Sequence, residues 1–164
     1  MSNPLEMGNS FFWTGRFMRL LQESRSLPIQ ATWIHPKGMI GLEIPQTKAE
    51  FETGLMHRPT IGPWRGMWFR FRSAKTIQVW TKNCLTPLDF IFINGGLIVD
   101  IQSEMPPCLG AQCPIYASAA AADGLIELQG GRAAELGLTT GLPVKLRRGS
   151  LGLGAYRQPA ASPD

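Results

Sequence analysis

The amino-acid sequence predicts a single, mainly β domain with many turns. Its 164 residues include 18 glycines and 13 prolines, which interrupt the chain too often for long helices. Short apolar runs lie between these turn residues, and this pattern is typical of strands. With 44% hydrophobic residues, a chain of this length can bury a core without metals or added crosslinks.

Three segments differ in composition. In residues 1–27, apolar side chains gather on one side of a helical projection, and Arg16 and Arg19 lie on the other. This pattern predicts an amphipathic extension that packs on its own domain or is disordered, with a membrane surface or a docking groove as the alternative. Residues 28–149 form the β domain. Residues 150–164 are rich in Gly, Ala, Pro and Ser, and we expect a flexible tail.

The first part of the domain predicts two strands and a helix. The apolar runs 29–34 and 39–44 are joined by a turn that contains both Pro and Gly. Thr47, followed three residues later by Glu50, forms a capping box. The spacing therefore predicts one amphipathic helix over about 47–57.

A strand over residues 66–72 has one apolar face and one basic face. Trp68, Arg70 and Arg72 alternate with apolar residues and so share a side of the strand. The ordinary explanation is a solvated face on which Arg stems cover a tryptophan. The alternative, which a net charge of +4 favours, is weak association of this face and Lys75 with an anionic membrane surface or nucleic acid.

Residues 79–101 combine apolar runs with an unusual density of polar side chains. Pro87 separates two predicted strands, 79–84 and 88–93, and the Asn-Gly-Gly at 94–96 predicts a tight hairpin. A buried sheet explains the apolar residues, but not the polar residues among them. The candidate ligand-binding residues here and elsewhere in the chain are Arg58, Trp80, Lys82, Asn83, Asp89 and Glu127.

The last part of the domain predicts a strand over 125–128, a short second helix over about 132–136 and a final strand over 144–146. Gly137 follows the helix at the position where a glycine commonly ends one. The sequence contains no internal repeat and gives no indication of an oligomeric state.

The three cysteines leave no fully paired set. Cys108 and Cys113 are disulfide candidates, and free thiols are the alternative in a reducing compartment. A zinc site would need two more ligands from His35, His57 and Cys84. We therefore expect no metal. Without a phosphate loop or a dinucleotide fingerprint, we also expect no cofactor.

The sequence favours a cytoplasmic protein or one peripheral to a membrane. No apolar run reaches the roughly 18 residues that a transmembrane helix needs. Arg16 and Arg19 interrupt the apolar part of the N-terminal region, so it is not a convincing signal peptide.

Five motifs, in order and at the right spacing, resemble the domain-of-unknown-function 192 family over roughly residues 40–146. The motifs are Gly54-Leu55-Met56-x-Arg58, Gly66-Met67-x-Phe69-x-Phe71, Trp80-x-Lys82-Asn83-x-x-x-Pro87-Leu88-Asp89, Pro107-Cys108 with Cys113, and Glu127-Leu128-x-x-Gly131. The resemblance implies a compact jelly-roll-like sandwich or barrel with a helix laid across it. It implies no reaction, and proteins of the family are often exported or attached to the envelope.

The chain departs from the family pattern beside these motifs. The family usually has a methionine where Thr81 stands, a threonine where Cys84 stands, and aliphatic residues where Trp68 and Arg70 stand. The strand face is therefore more basic and aromatic in this chain, and we expect it to meet a different surface.

Three explanations of the candidate residues lead to different functions. The first is a non-catalytic binding or accessory domain with a polar pocket for a small anionic or hydroxylated ligand such as a sugar. The second is a hydrolase-like enzyme with Asp89 as general base and Lys82 as electrophilic partner. No Ser/His/Asp order or His-rich cluster supports a reaction, so an enzyme is disfavoured. The third is structural, because a buried Asp89 must pair with Arg58 or Lys82 or cap backbone amides.

Overall fold

The computed structural model describes residues 26–149, so the predicted helix of the extension and the predicted flexible tail lie outside the described residues. The described chain is mainly β, which confirms the predicted fold class. Its elements are β1 (Ile29–His35), β2 (Gly38–Glu43), α1 (Lys48–Thr53), β3 (Arg65–Lys75), β4 (Gln78–Val79), β5 (Leu88–Asn94), β6 (Leu97–Met105), β7 (Tyr116–Ala117), β8 (Ala122–Gln129), α2 (Arg132–Leu136) and β9 (Lys145–Arg148).

Seven strands form one mixed sheet in the order β6-β5-β8-β3-β2-β1-β9, and β4 pairs with β7 in a separate ribbon. Neighbours in the large sheet are antiparallel, except that β2 and β3 run parallel. A bridge between Leu97 and Pro143 and backbone hydrogen bonds of Ile98 to Gly141 and Leu142 bring the start of β6 to the segment before β9. Within residues 26–149 the strands nevertheless do not close into a barrel.

The central strands β5 and β8 bury both of their faces. On one face, Ile91 and Ile126 pack with residues of β1, β2 and α2. On the other, Phe90 and Leu125 pack with residues that follow α1 and with Ile77. Because successive side chains of a strand point to opposite faces, any polar residue on these strands is buried on one face or the other.

The first helix begins where the sequence predicts and ends earlier. Thr47 and Glu50 form the capping box, with the Thr47 hydroxyl accepting from the Glu50 amide. The helix stops at Thr53, because Gly54 has a φ of 50° and leaves the helical conformation. α2 occupies the predicted residues, and Gly137 ends it at a φ of 71°.

The predicted strand at 79–84 is wrong for most of its length, since β4 contains only Gln78–Val79. Asn83 adopts a φ of 55°, which is incompatible with an extended strand. By contrast, the predicted hairpin at 94–96 forms between β5 and β6, and both of its glycines have positive φ.

Candidate functional site

Asp89 is a fully buried residue of β5 that binds backbone amides. Its carboxylate accepts hydrogen bonds from the amides of Glu104 at 2.7 Å, Gly131 at 3.0 Å and Ala133 at 2.6 Å. Gly131 and Ala133 stand at the start of α2, where backbone amides have no partner within the helix. Asp89 therefore caps α2 and ties β6 to it, and both of its oxygens are already engaged.

Arg58 is a buried partner of Glu43 rather than of Asp89. Its guanidinium makes two hydrogen bonds to the Glu43 carboxylate, at 2.7 and 2.8 Å. Arg65 donates to the same carboxylate at 2.6 Å, and so does the amide of Leu27. Burial alone would raise the pKa of Glu43, but the two guanidiniums and the Leu27 amide hold it below its ordinary value.

We call Glu43, Arg58 and Arg65 the Glu43 cluster. Its two guanidiniums and one carboxylate give it one net positive charge. Arg65 also donates to the carbonyl oxygen of Leu27, so the cluster fixes the point at which the described chain enters the sheet.

A cavity of about 290 Å³ lies between α1, β3, β4 and β8, and we call it the α1 cavity. Its walls are mainly apolar and aromatic. Phe51 and Ile115 are exposed at its mouth, whereas Leu55, Phe69, Ile77, Cys84 and Leu125 are buried residues of its wall. The candidate residues Trp80, Lys82 and Glu127 also line it.

Glu127 is the buried carboxyl of the α1 cavity. It lies on the same face of β8 as Leu125, and its side neighbours on β3 and β5 are the apolar residues Met67 and Phe90. The residue is 4% exposed. Among residues 26–149, burial and the charge of Arg58 act on its carboxyl group, and no hydrogen bond does. Burial raises the pKa of Glu127 to about 8, despite the opposing charge of Arg58.

Lys82 and Trp80 stand together at the mouth of the α1 cavity. The Lys82 ammonium lies 5.1 Å from the centre of the Trp80 ring, within the range of a cation–π contact. Trp80 is 45% exposed. A cation and an aromatic ring therefore border the entrance, while the carboxyl of Glu127 is buried.

Cys84 is a free, buried thiol of the cavity wall. Burial raises its pKa to about 12, and the charge of Glu127 acts in the same direction while Arg58 opposes it. A thiol with this pKa is protonated at neutral pH and is a poor nucleophile.

Asn83 positions two loops through its backbone. Its carbonyl accepts from the His57 amide at 2.8 Å, and its amide donates to the Cys108 carbonyl at 2.8 Å. The structure joins Cys108 to Cys113 in a disulfide with a Cα–Cα distance of 5.8 Å. Ile115, at the mouth of the α1 cavity, follows this disulfide loop closely.

The basic face of β3 is partly covered. The guanidiniums of Arg70 and Arg148 lie 5.3 and 5.7 Å from the centre of the Trp68 ring, which packs against the core. Lys75 lies over the Phe71 ring at 4.9 Å. Trp68 is therefore a support for guanidiniums rather than an open stacking platform.

The sequence-predicted candidates thus separate into four places, and Asn83 stands apart because it contacts two loops through its backbone. Trp80, Lys82 and Glu127 meet at the α1 cavity, whereas Asp89 and Arg58 belong to buried networks. The predictions missed the apolar cavity wall, including Cys84. The sequence did contain a signal for this wall, because alternate residues of a strand share one face. Phe69 and Phe71 share a face of β3, and Leu125 and Glu127 share a face of β8.

Two further properties concern metals and membranes. Within the described residues, no group of three His, Cys, Asp or Glu side chains is placed to hold a metal ion. In the same part of the chain, no helix is long and apolar enough to cross a membrane.

The open sheet, the two short helices and the cavity on one face define a compact, mainly β domain. The chain belongs to the DUF192 family, described as "Uncharacterized ACR", whose model matches residues 31–146. This confirms the family resemblance predicted over residues 40–146. The family is one of unknown function.

Two solved structures resemble the domain. A protein of unknown function from Novosphingobium aromaticivorans is 26% identical, with a TM-score of 0.61, over 72% of this chain and 83% of its own. A Sinorhizobium meliloti protein described as "a putative transcription regulator" is 26% identical, with a TM-score of 0.59, over 77% of this chain and 100% of its own. No curated protein matches the chain.

Proposed function

We propose that this protein is a non-catalytic binding domain whose α1 cavity takes a small, mainly apolar ligand with one anionic or hydroxylated group. The observation that carries the proposal is Glu127, a buried carboxyl in a cavity with apolar walls, to which no other residue of 26–149 forms a hydrogen bond. Burying an unpaired carboxyl opposes folding by roughly 1–3 kcal/mol or more. A ligand that hydrogen-bonds to Glu127 would offset this cost.

The shape of the cavity supports a small molecule. Its volume of about 290 Å³ lies near the lower end of the range for ligand sites, and apolar walls with few polar groups are typical of such sites. A sugar fits less well, because its many hydroxyls would face Phe69, Ile77 and Leu125. The sequence predicted a polar pocket, whereas the α1 cavity has mainly apolar walls and one buried carboxyl, that of Glu127.

Catalysis by Asp89 and Lys82 has less support. Asp89 is engaged by three amides, and Lys82 lies over the Trp80 ring at the mouth of the cavity. A general base needs a free oxygen within reach of a substrate proton.

A titration followed by NMR tests the proposal. Backbone amide shifts would be recorded while octanoate, octanol, octylamine or glucose is added to the full chain. We expect at least one of the three octyl compounds to move signals of the residues that line the cavity, and glucose to move none. Scattered shifts, or no shifts with any compound, would contradict the proposal.

A pair of variants locates the binding. Ile115 is 61% exposed at the cavity mouth, and Leu109 is 68% exposed inside the disulfide loop and outside the cavity lining. Ile115→Trp should narrow the entrance and weaken binding by about tenfold. Leu109→Trp, the matched control, should bind as the parent does.

A second candidate is salt-sensitive adsorption to nucleic acid, which the exposed side chains of Arg70, Arg72 and Arg148 favour. Such binding would have no sequence preference, because nothing in this face is arranged to contact base edges. Gel shifts at low and physiological salt test it. No shift at low salt would contradict it. The location predicted from the sequence, cytoplasmic or peripheral to a membrane, stays a prediction.

A further inference from the structure

We propose that the ligand of the α1 cavity is an apolar molecule that ends in a single carboxylate, which hydrogen-bonds to the carboxyl of Glu127. This inference rests on the proposed function, because it assigns a ligand class to the same cavity. It also gives a role to Arg58, whose charge acts on the Glu127 carboxyl, and to Lys82, which lines the cavity.

The charges around Glu127 favour an anion. On one side, the Glu43 cluster contributes one net positive charge, and Arg58 of that cluster acts directly on the Glu127 carboxyl. The thiol of Cys84 is neutral. A protonated Glu127 adds no charge, so the inner end of the cavity is net positive and is free to accept one negative charge.

The charges at the mouth agree with this assignment. Lys82 and Glu52 both line the cavity. Lys82 is half-buried beside Trp80, whereas the side chain of Glu52 is 65% exposed and paired with Lys48 at 3.6 Å. Solvent screens an exposed charge more than a half-buried one, so the ammonium dominates the field that an entering anion meets.

A ligand carboxylate and Glu127 would share one proton. Two carboxyl groups in one site cannot both ionise readily, so each raises the pKa of the other. Glu127 supplies the proton because burial already keeps it protonated at neutral pH. Its O–H then donates to the ligand carboxylate, and hydrogen bonds of this charged kind are about twice as strong as neutral ones.

Ligands with another polar end would make fewer favourable interactions with Glu127, Arg58 and Lys82. An alcohol would hydrogen-bond to Glu127, but it would gain nothing from Arg58 or Lys82. An ammonium would pair with an ionised Glu127, but both cations would repel it. We therefore expect affinity to decrease from carboxylate to alcohol to amine.

The cavity volume sets the size of the probe. At about 30 Å³ for each water-sized group, 290 Å³ holds on the order of ten non-hydrogen atoms. Octanoate has this size, and octanol and octylamine differ from it only in the polar end.

Calorimetry of the full chain with these three probes tests the inference. At neutral pH, octanoate should bind at least about tenfold more tightly than octanol, the ratio that one charged hydrogen bond supplies. Above about pH 8, octanoate affinity should fall by about tenfold per pH unit, with proton uptake on binding, because Glu127 must regain its proton. Octanol binding should change little over the same range.

Two variants identify the titrating group. Glu127→Gln keeps a hydrogen-bond donor and loses the proton, so octanoate should bind several-fold more weakly at neutral pH and show no further loss above pH 8. Glu104→Gln makes the same substitution at an exposed position outside the cavity lining, and it should keep the steep alkaline loss.

The outcomes separate the two proposals. Equal binding of octanoate and octanol, or an alkaline loss that persists in Glu127→Gln, overturns the carboxylate assignment and leaves the cavity as a binding site. Octanoate binding that is unaffected by Ile115→Trp lies outside the cavity and overturns both. If none of the three probes binds, the proposed function itself fails.

Discussion

Asp89 and Glu127 are buried carboxyl groups on the neighbouring strands β5 and β8, and their surroundings are opposite. Asp89 points to the face covered by α2 and accepts hydrogen bonds from three amides. Glu127 points to the face covered by α1 and lines a cavity without a hydrogen-bond partner among residues 26–149.

The difference shows how one sheet separates a structural role from a binding role. A carboxylate that receives several amide hydrogen bonds has both oxygens engaged and holds the elements that donate to it. A carboxyl buried without such donors is stabilised in its neutral form, and it keeps the capacity to bond to something else. The face of the sheet, rather than the residue type, decides between the two.

The largest expected effect concerns Asp89, whose carboxylate accepts three amide hydrogen bonds. Asp89→Ala leaves the amides of Glu104, Gly131 and Ala133 without their partner, and each buried orphaned donor costs about 1–3 kcal/mol. We expect the free energy of unfolding in urea to fall by about 3–5 kcal/mol.

Asp123→Ala is the matched control, because the Asp123 carboxylate accepts one exposed hydrogen bond, from the Gly95 amide. It should lower the free energy of unfolding by less than about 1.5 kcal/mol. Similar losses in the two variants would show that Asp89 does not hold α2 and β6 together.

The next effect concerns the pH dependence of stability. The pKa of Glu127 is raised from 4.5 to about 8 in the fold, so the folded state binds a proton that the unfolded state releases. Stability contributed by this proton is present below pH 4.5 and is lost as the pH rises towards 8. Between about pH 5 and pH 7.5, we expect the loss to be roughly 3 kcal/mol.

Glu127→Gln isolates this contribution, since its amide does not titrate. Urea unfolding of the variant should show a much smaller loss over the same pH interval. Glu43 titrates at lower pH, because its pKa is depressed and its contribution is lost as the pH falls. A variant as pH-dependent as the parent would mean that another group causes the loss.

The smallest expected effect concerns the disulfide beside the cavity mouth. Replacing Cys108 and Cys113 by serine opens a short loop, and the loop-entropy relation gives a destabilisation of about 2 kcal/mol. Hydrogen exchange of the Asn83 amide, which donates to the Cys108 carbonyl, should become faster. A dithiol reductant should reproduce both changes in the parent and produce neither in the double variant. Unchanged exchange would show that the disulfide does not order the mouth.

Local signals in the sequence were sufficient for much of the fold. The capping box of Thr47 and Glu50 and the hairpin at 94–96 depend on neighbouring residues, and both form as predicted. The predicted strand at 79–84 failed where Asn83 takes a left-handed conformation held by amides and carbonyls of distant loops. No local pattern indicates those partners.

The candidate site was harder to predict for the same reason. Asp89 and Glu127 stand in similar apolar strands, and the donors to Asp89 on α2 lie more than forty residues further along the chain. Only the packing of α2 and α1 on opposite faces gives the two carboxyls different partners. A single Glu between Ile126 and Leu128 was the one local sign that a buried acid was present.

The central claim is that Glu127 is a neutral hydrogen-bond donor in the α1 cavity, and measuring the ionisation of its carboxyl group tests this claim most directly. The ionisation is measured by the chemical shift of its carboxyl carbon in labelled protein, assigned with Glu127→Gln, as a function of pH. We expect a midpoint near pH 8, raised further by saturating octanoate. A midpoint near the ordinary value of 4.5 would contradict the account, because Glu127 would then be charged at neutral pH.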